Sequence, residues 1–317
     1  MNKSCLIGFL MCSAFSLVVQ AATDGAHITK TISQIERKKG IKRTIQYRPD
    51  GNDFVCVNGK NRYTRALYGG ITDFRIETSD RPVFATYKPK DSKHICFRLQ
   101  CGNQSIALDS LKFCEARYRA GRRTYRLTDP LLGKGELNIS VLAFPDAEGG
   151  IWRFTMKDMP EGALLYCYIS EIRAKNLSRN GDMGADRADS FDAPQLPKEQ
   201  KHYKLSLDGT TAYIVVEDQE LRLPALVEGT SLYDKSEKWR SEIESSLQIS
   251  TPDPYFNPLG GALAAAADGI WDGKIWLHGA IGWRSQLNGW RAAYIGDFIG
   301  WHDSCLLYTS PSPRDCS

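Results

Sequence analysis

The chain has 317 residues, 42% of them hydrophobic and 25% charged, and at roughly 100–200 residues per domain it has room for two domains. That composition excludes a disordered, fibrous or disulfide-knot protein. Forty-one Lys and Arg against thirty-seven Asp and Glu leave a net charge of +4, and no long basic run is interleaved with aromatics, so nucleic acid is not an expected partner.

At the start of the chain, Lys3 precedes an apolar run over residues 5–19 that ends in Val19-Gln20-Ala21. This pattern predicts a signal peptide over residues 1–21, cleaved after Ala21, and therefore export to the periplasm or beyond. Its apolar core is about 15 residues where a membrane span needs about 20, so no stable membrane insertion is expected after cleavage. Cys12 follows the bulky Met11 and does not suit a lipid-attachment box. The densest basic stretch, between Arg37 and Arg43, fits a solvated strand edge or arm.

Export places the chain where disulfides can form, which makes its cysteines informative. Of nine, Cys5 and Cys12 fall in the leader and Cys305 and Cys316 at the far end, leaving Cys56, Cys96, Cys101, Cys114 and Cys167. They are odd in number, lack CxxC spacing and have no His at a ligand offset. Buried free thiols are expected, with no metal site and no cofactor.

Residues 44–217 read as short β-rich runs broken by Gly, Asp, Asn and Pro. Strands are predicted at 53–57, 83–87, 94–99, 137–144, 151–156, 164–172 and 211–216. In one of them Trp152, Phe154 and Met156 alternate with Arg153, Thr155 and Lys157, the period of a strand with one wet face. Turn signals at Asp50-Gly51, Asn58-Gly59 and Asp208-Gly209 predict antiparallel strands in a large sandwich over 22–234. Residues 176–200 lack periodicity and are expected to be a long excursion from the sheet.

Near residue 234 the period changes. Ser236 is predicted to cap a linker helix, over 235–250, in which Trp239, Ile243 and Leu247 form one stripe and Glu237, Arg240, Glu242 and Glu244 fill the other faces. Asn257-Pro258 then starts a second helix over 258–267, closed near Gly269 and so poor in bulk that a neighbouring helix can approach closely.

Five of the seven tryptophans, Trp271, Trp276, Trp283, Trp290 and Trp301, lie within thirty-one residues. Gly precedes three of them and Arg follows two. A flat indole suits the C–H face of a sugar ring, while Arg, Asn and Asp fix its hydroxyls. Trp290, Tyr294 and Phe298 also line one stripe of a predicted helix over 290–299. Packing in a core is the competing reading for each tryptophan, and for Asp297 and Asp303 it is pairing with Arg291 or Arg284. His278 reads as a structural histidine. The chain has no GxSxG, HExxH, P-loop or GxGxxG motif.

The run Asp253-Pro254-Tyr255-Phe256-Asn257-Pro258 is followed by Trp276, by His278-Gly279-Ala280-Ile281-Gly282-Trp283-Arg284 and by Leu287-Asn288-Gly289-Trp290-Arg291. Gly296-Asp297 and Gly300-Trp301-His302-Asp303 complete this block, which resembles the domain of unknown function 4450 family, secreted proteins of polysaccharide-degrading gut bacteria. Upstream, Asn61-Arg62-Tyr63-Thr64-Arg65-Ala66-Leu67-Tyr68-Gly69-Gly70, Phe74-Arg75 and Asp80-Arg81-Pro82-Val83-Phe84 resemble its amino-terminal section.

The resemblance implies a mainly β fold: an antiparallel β-super-sandwich, a linker helix and an (α/α)6 toroid of the six-hairpin glycosidase type over 251–303. That stretch has room for two or three helices only, so the toroid is expected to be truncated, with the catalytic acid and base lying beyond it and this chain inactive. Residues 304–317 resemble translated sequencing adapter and are expected not to be native. What the resemblance carries over is a wall of the sugar site, Trp283, Arg284, Asn288, Trp290, Arg291, Asp297 and Trp301.

The expected function is that of an exported carbohydrate-active enzyme, a glycoside hydrolase on a complex polysaccharide or oligosaccharide. Such an enzyme uses two carboxylates roughly 5–10 Å apart. The alternatives are a lyase on uronic-acid glycans, with Arg284 and Arg291 holding a carboxylate and His278 taking a proton, and a non-catalytic glycan-binding protein.

Overall fold

The structure is a computed structural model that describes residues 46–88, 91–171 and 202–278 together with Gly296, Gly300 and Trp301. The predicted leader, the Arg37–Arg43 arm, the 176–200 excursion, the 290–299 helix apart from Gly296, and the 304–317 tail lie outside the described residues.

Among the described residues fifteen strands run in chain order, beginning with β1 (Arg48–Asp50), β2 (Asp53–Val57), β3 (Arg65–Tyr68), β4 (Arg75–Thr78) and β5 (Phe84–Tyr87). There follow β6 (Lys93–Cys101), β7 (Gln104–Ala107), β8 (Phe113–Arg119), β9 (Arg122–Thr128) and β10 (Glu136–Ala143). The last five are β11 (Gly149–Lys157), β12 (Leu164–Glu171), β13 (Tyr203–Ser206), β14 (Thr211–Glu217) and β15 (Glu220–Arg222). They form two antiparallel sheets, one of eight strands ordered β1-β2-β8-β9-β10-β11-β14-β15 and one of seven ordered β13-β12-β6-β5-β4-β3, with β7 on β6. Each of the seven strands predicted from period and turn signals has a counterpart among them.

The sheets face each other across one apolar layer. Alternation along β11 sends Trp152, Phe154 and Met156 inward, as the sequence pattern requires. Phe84 of one sheet meets Tyr125 and Trp152 of the other edge-on, with ring centres 5.5 and 5.7 Å away, and Phe97 meets Phe154 at 5.6 Å. Edge-to-face pairs add about 0.5–1.5 kcal/mol each beyond the area they bury, so these rings bind the sheets together. Gly69 and Gly70 let the chain leaving β3 press against the far sheet: a Cβ on either would lie 2.1 or 1.9 Å from the carbonyl oxygen of Phe144 or Pro145.

One end of the layer is polar. Asp80 and Arg123 are both fully buried, 3.9 Å apart. The Tyr47 hydroxyl donates to Asp80 and accepts from Arg123, the Asn61 N–H and Thr64 hydroxyl donate to the same carboxylate at 3.0 and 3.1 Å, and Arg123 also donates to the Ser79 carbonyl at 2.8 Å. Burial also pushes the Tyr125 hydroxyl up to about 12, and it donates to Ser79 at 2.8 Å. Arg81 donates to the Asp109 and Leu111 carbonyls. The upstream block that carries the resemblance, from Asn61 to Phe84, is therefore largely a structural knot.

Two helices follow the sandwich among the described residues, α1 (Leu226–Ser245) and α2 (Leu259–Asp268). The first begins at Leu226, ten residues before the predicted cap. Ser236 sits inside it, 1% exposed, and donates back to the Leu232 carbonyl. Gly229 and two hydroxyl residues near the start hid this turn from a propensity reading; Gly229 is needed because a Cβ there would lie 2.4 Å from the Tyr213 ring.

The buried stripe of α1 is Gly229, Tyr233, Ser236, Arg240 and Ile243 rather than Trp239, Ile243 and Leu247. The helix lies on the outer face of the eight-stranded sheet, where Tyr233 packs among Leu142, Ile151, Tyr213 and Val215 and the second half of the helix is held by charges. Glu244 pairs with Arg119 at 2.7 Å and Arg240 at 2.8 Å, and Glu237 pairs with Arg122 and Arg240 at 2.8 and 2.6 Å. The second helix matches its predicted bounds to one residue. Its glycines admit a close approach as expected, a Cβ on Gly261 falling 2.7 Å from Cγ of Glu244 in α1 and one on Gly260 2.7 Å from the carbonyl oxygen of Leu247 just past it.

Candidate functional site

The site begins where α2 ends. Asp268 is its last residue, Gly269 closes it, and no basic residue occupies its last turn. A carboxylate at the negative end of a helix dipole is disfavoured. Asp268 is also largely withdrawn from water, with some exposure remaining, and burial pushes its carboxyl up to about 7. Its main-chain carbonyl accepts the Trp271 N–H at 3.1 Å, and the Gly269 backbone passes against the Tyr68 ring. Ile270 covers the outer face of the seven-stranded sheet beside Tyr63, Ala85 and Tyr87.

From Trp271 the chain reverses in a tight turn. The Asp272 carboxylate accepts the N–H groups of Lys274 and Ile275 at 2.9 and 2.7 Å, and Gly273 takes φ +90°, a conformation open to glycine. The reversal pairs Trp271 with Trp276 in an antiparallel bridge and sets their ring centres 4.8 Å apart at 49°. Trp276 then stacks on Trp301, with centres 5.6 Å apart and planes 13° apart. Trp276 is fully buried among Trp271, Trp301, Ala267 and Leu247, whereas Trp271 and Trp301 keep part of their surface in solvent.

The core reading therefore holds for Trp276. Trp301 is held by one face and Trp271 at a tilt against the central ring, and both leave part of their surface open, an arrangement that can receive an apolar ring face. Of the seven residues of the expected sugar wall, Trp301 is placed in this stack. Trp283, Arg284, Asn288, Trp290, Arg291 and Asp297 lie outside the described residues, as do His302 and Asp303. His278 is exposed at the edge of the stack.

Sequence reasoning passed over Asp268. The signal was present: an acidic residue closing a small-residue helix, where a basic one is favoured, three positions before a tryptophan. It also passed over a groove of about 270 Å³ on the outer face of the eight-stranded sheet, lined by β8 to β11. All five described cysteines are free thiols, four buried and Cys101 partly so, as the count and spacing predicted.

Residues 89–217 match the family model described as Domain of unknown function (DUF4450). The match spans β6 to β14 and stops before α1. No curated protein matches the sequence.

Proposed function

We propose that this sandwich, whose central strands match a family of unknown function, serves an exported carbohydrate-active enzyme of the glycoside hydrolase kind, with Asp268 as proton donor and Trp271 and Trp301 as sugar platforms. The observation that carries the reading is a partly exposed carboxyl, raised to about 7 by burial, one turn ahead of a three-indole stack. A carboxyl that keeps its proton near neutral pH can protonate a leaving glycosidic oxygen, and its pKa then lies close to the operating pH. Hydrolysis needs a second carboxylate across the scissile bond. On this reading the second carboxylate comes from the part of the toroid that the resemblance places beyond residue 303.

The helical part is read as the opening of an (α/α)6 toroid. The close α1–α2 approach at Gly261 supports this, as do Phe256 and Leu263, which are 46% and 52% exposed and offer apolar surface to further helices. Product chemistry on a broad polysaccharide panel tests the function, using protein translated from the complete reading frame. New reducing ends without a new ultraviolet absorbance are expected. An unsaturated product would replace hydrolysis by elimination, and binding without any product would leave a glycan-binding protein.

A further inference from the structure

We propose that the outer face of the eight-stranded sheet carries a second ligand site, an oxyanion-binding groove for an acidic sugar unit, anchored by Arg153. It is built on β8 to β11, apart from the tryptophan stack, and holds whether or not that stack catalyses hydrolysis. Strand alternation turns two rows of polar side chains outward here. Thr124, Ser140 and Arg153 face one another across β9, β10 and β11, and Arg126, Asn138 and Thr155 do so in the next row. These rows line a groove of about 270 Å³, and Tyr233 of α1 bonds Ser140 at its edge. From β8 to β11 the face spans three strand spacings, roughly 14 Å, enough for a short oligosaccharide.

The charges in the groove are not equivalent. Arg117 is neutralised by Asp50, Asp53 and Glu115 at 2.8, 3.4 and 2.8 Å, and Arg126 by Glu115 and Glu136 at 3.4 Å each. Arg153 has no carboxylate partner among the described residues. Its guanidinium lies 3.9 Å from the centre of the Tyr233 ring, and that ring is fixed by a 2.7 Å hydrogen bond between its hydroxyl and Ser140. The Arg153 Nε is buried without a hydrogen-bond partner among the described residues. The result is one oriented cation with unspent donors at the edge of the groove, beside the Thr124 and Thr155 hydroxyls and the Asn138 amide.

A guanidinium fork matches a carboxylate or sulfate oxyanion in two parallel hydrogen bonds. Hydroxyl and amide groups in rows match sugar hydroxyls, since each can donate and accept. Only one oxyanion fits this balance: a ligand with closely spaced multiple charges would meet Glu115 and Glu136. The ligand is thus a polyol bearing a single anionic group at the position of Arg153.

Titration calorimetry with a galacturonate trisaccharide, its fully methyl-esterified form and a monosulfated disaccharide tests this. The acidic trisaccharide should bind and its ester should bind at least tenfold more weakly; the sulfated probe tells carboxylate from sulfate recognition by which of the two binds tighter. Arg153→Lys, which keeps charge and loses the fork, should weaken acidic binding at least tenfold while the melting temperature moves little, and Asn138→Asp, which adds a repelling charge at a half-buried position and gives up the hydrogen bond to Glu136, should weaken acidic binding at least tenfold while the fold is retained by circular dichroism. Equal affinity for acid and ester, unchanged affinity in Asn138→Asp, or no binding of either acidic probe would overturn the proposal. Loss of binding in Trp301→Ala with Arg153→Lys unaffected would also overturn it, by placing the ligand on the tryptophan stack instead.

Discussion

Asp268 holds the Trp271 N–H through its main-chain carbonyl at 3.1 Å, so the residue that ends α2 also fixes the first indole of the stack. Its backbone orders the aromatic turn while its side chain keeps a proton near neutral pH. The two roles separate by mutation, because Asp268→Asn leaves the carbonyl in place and removes only the acid.

That substitution has a stability signature independent of activity. The folded carboxyl is raised to about 7 from an unfolded value near 3.9, so the folded state binds the extra proton between those limits. The associated stability is complete below the unfolded value and is lost as pH rises through the folded one. Asp268→Asn should match the parent below pH ~4 and melt higher above pH ~7, by about 2–4 °C for each kcal/mol of the linkage. Equal melting profiles across this range would mean that Asp268 is not held protonated by the fold.

The clasp between α1 and the sandwich has the opposite pH dependence. Burial works against the Glu244 charge, yet Arg119 and Arg240 hold its carboxyl below the usual carboxylate range. Its stabilisation is present above that range and is lost as pH falls through the folded value. Glu244→Gln should cost about 1–2 kcal/mol at pH 7, after allowance for partial exposure, and little at pH 3. Chemical denaturation at the two pH values measures this, and a cost independent of pH would assign the effect to packing.

Phe84 is the ring through which the two sheets meet, touching Phe97, Tyr125 and Trp152 edge-on. Phe84→Ala should cost about 3–5 kcal/mol. Denaturant midpoints at unchanged m-value would show it, and a loss under 1 kcal/mol would mean the layer closes around the gap.

Burial pushes the thiols of Cys96, Cys114 and Cys167 up to about 12. At pH 8 on the order of 10⁻⁴ of each is thiolate, the reactive form. These three should resist an aromatic disulfide reagent in the native protein and react together on unfolding. Peptide mapping of the modified sites checks this, and rapid labelling of any of the three in the native state would contradict their placement.

The sandwich was legible because both its signals are local. Alternation in Trp152-Arg153-Phe154 and turn pairs such as Asp208-Gly209 act within a few residues, and each predicted run became a strand. The start of α1 was not legible, because Gly229 answers to a tertiary neighbour, Tyr213, and the helix packs Tyr233 on an apolar patch of the sheet while burying the polar Ser236 and Arg240. For the candidate site, tryptophan clustering singled out Trp271, Trp276 and Trp301, and these three stack on one another. What the cluster could not reveal was that Trp276 would take the buried centre, since this depends on the turn at Asp272 and on contact with a residue 25 positions on. The Arg153 groove was hidden for a similar reason: which guanidinium lacks a carboxylate is decided across four strands.

Sugar release by protein from the complete reading frame, compared with its Asp268→Asn variant between pH 5 and 8, tests the hydrolase reading most directly. The parent should release reducing ends with a rate that falls as Asp268 loses its proton near pH ~7, and the variant should lose about 10²–10⁴-fold in kcat with KM little changed. A variant as active as the parent, or a parent that binds glycan and releases no sugar, would contradict it.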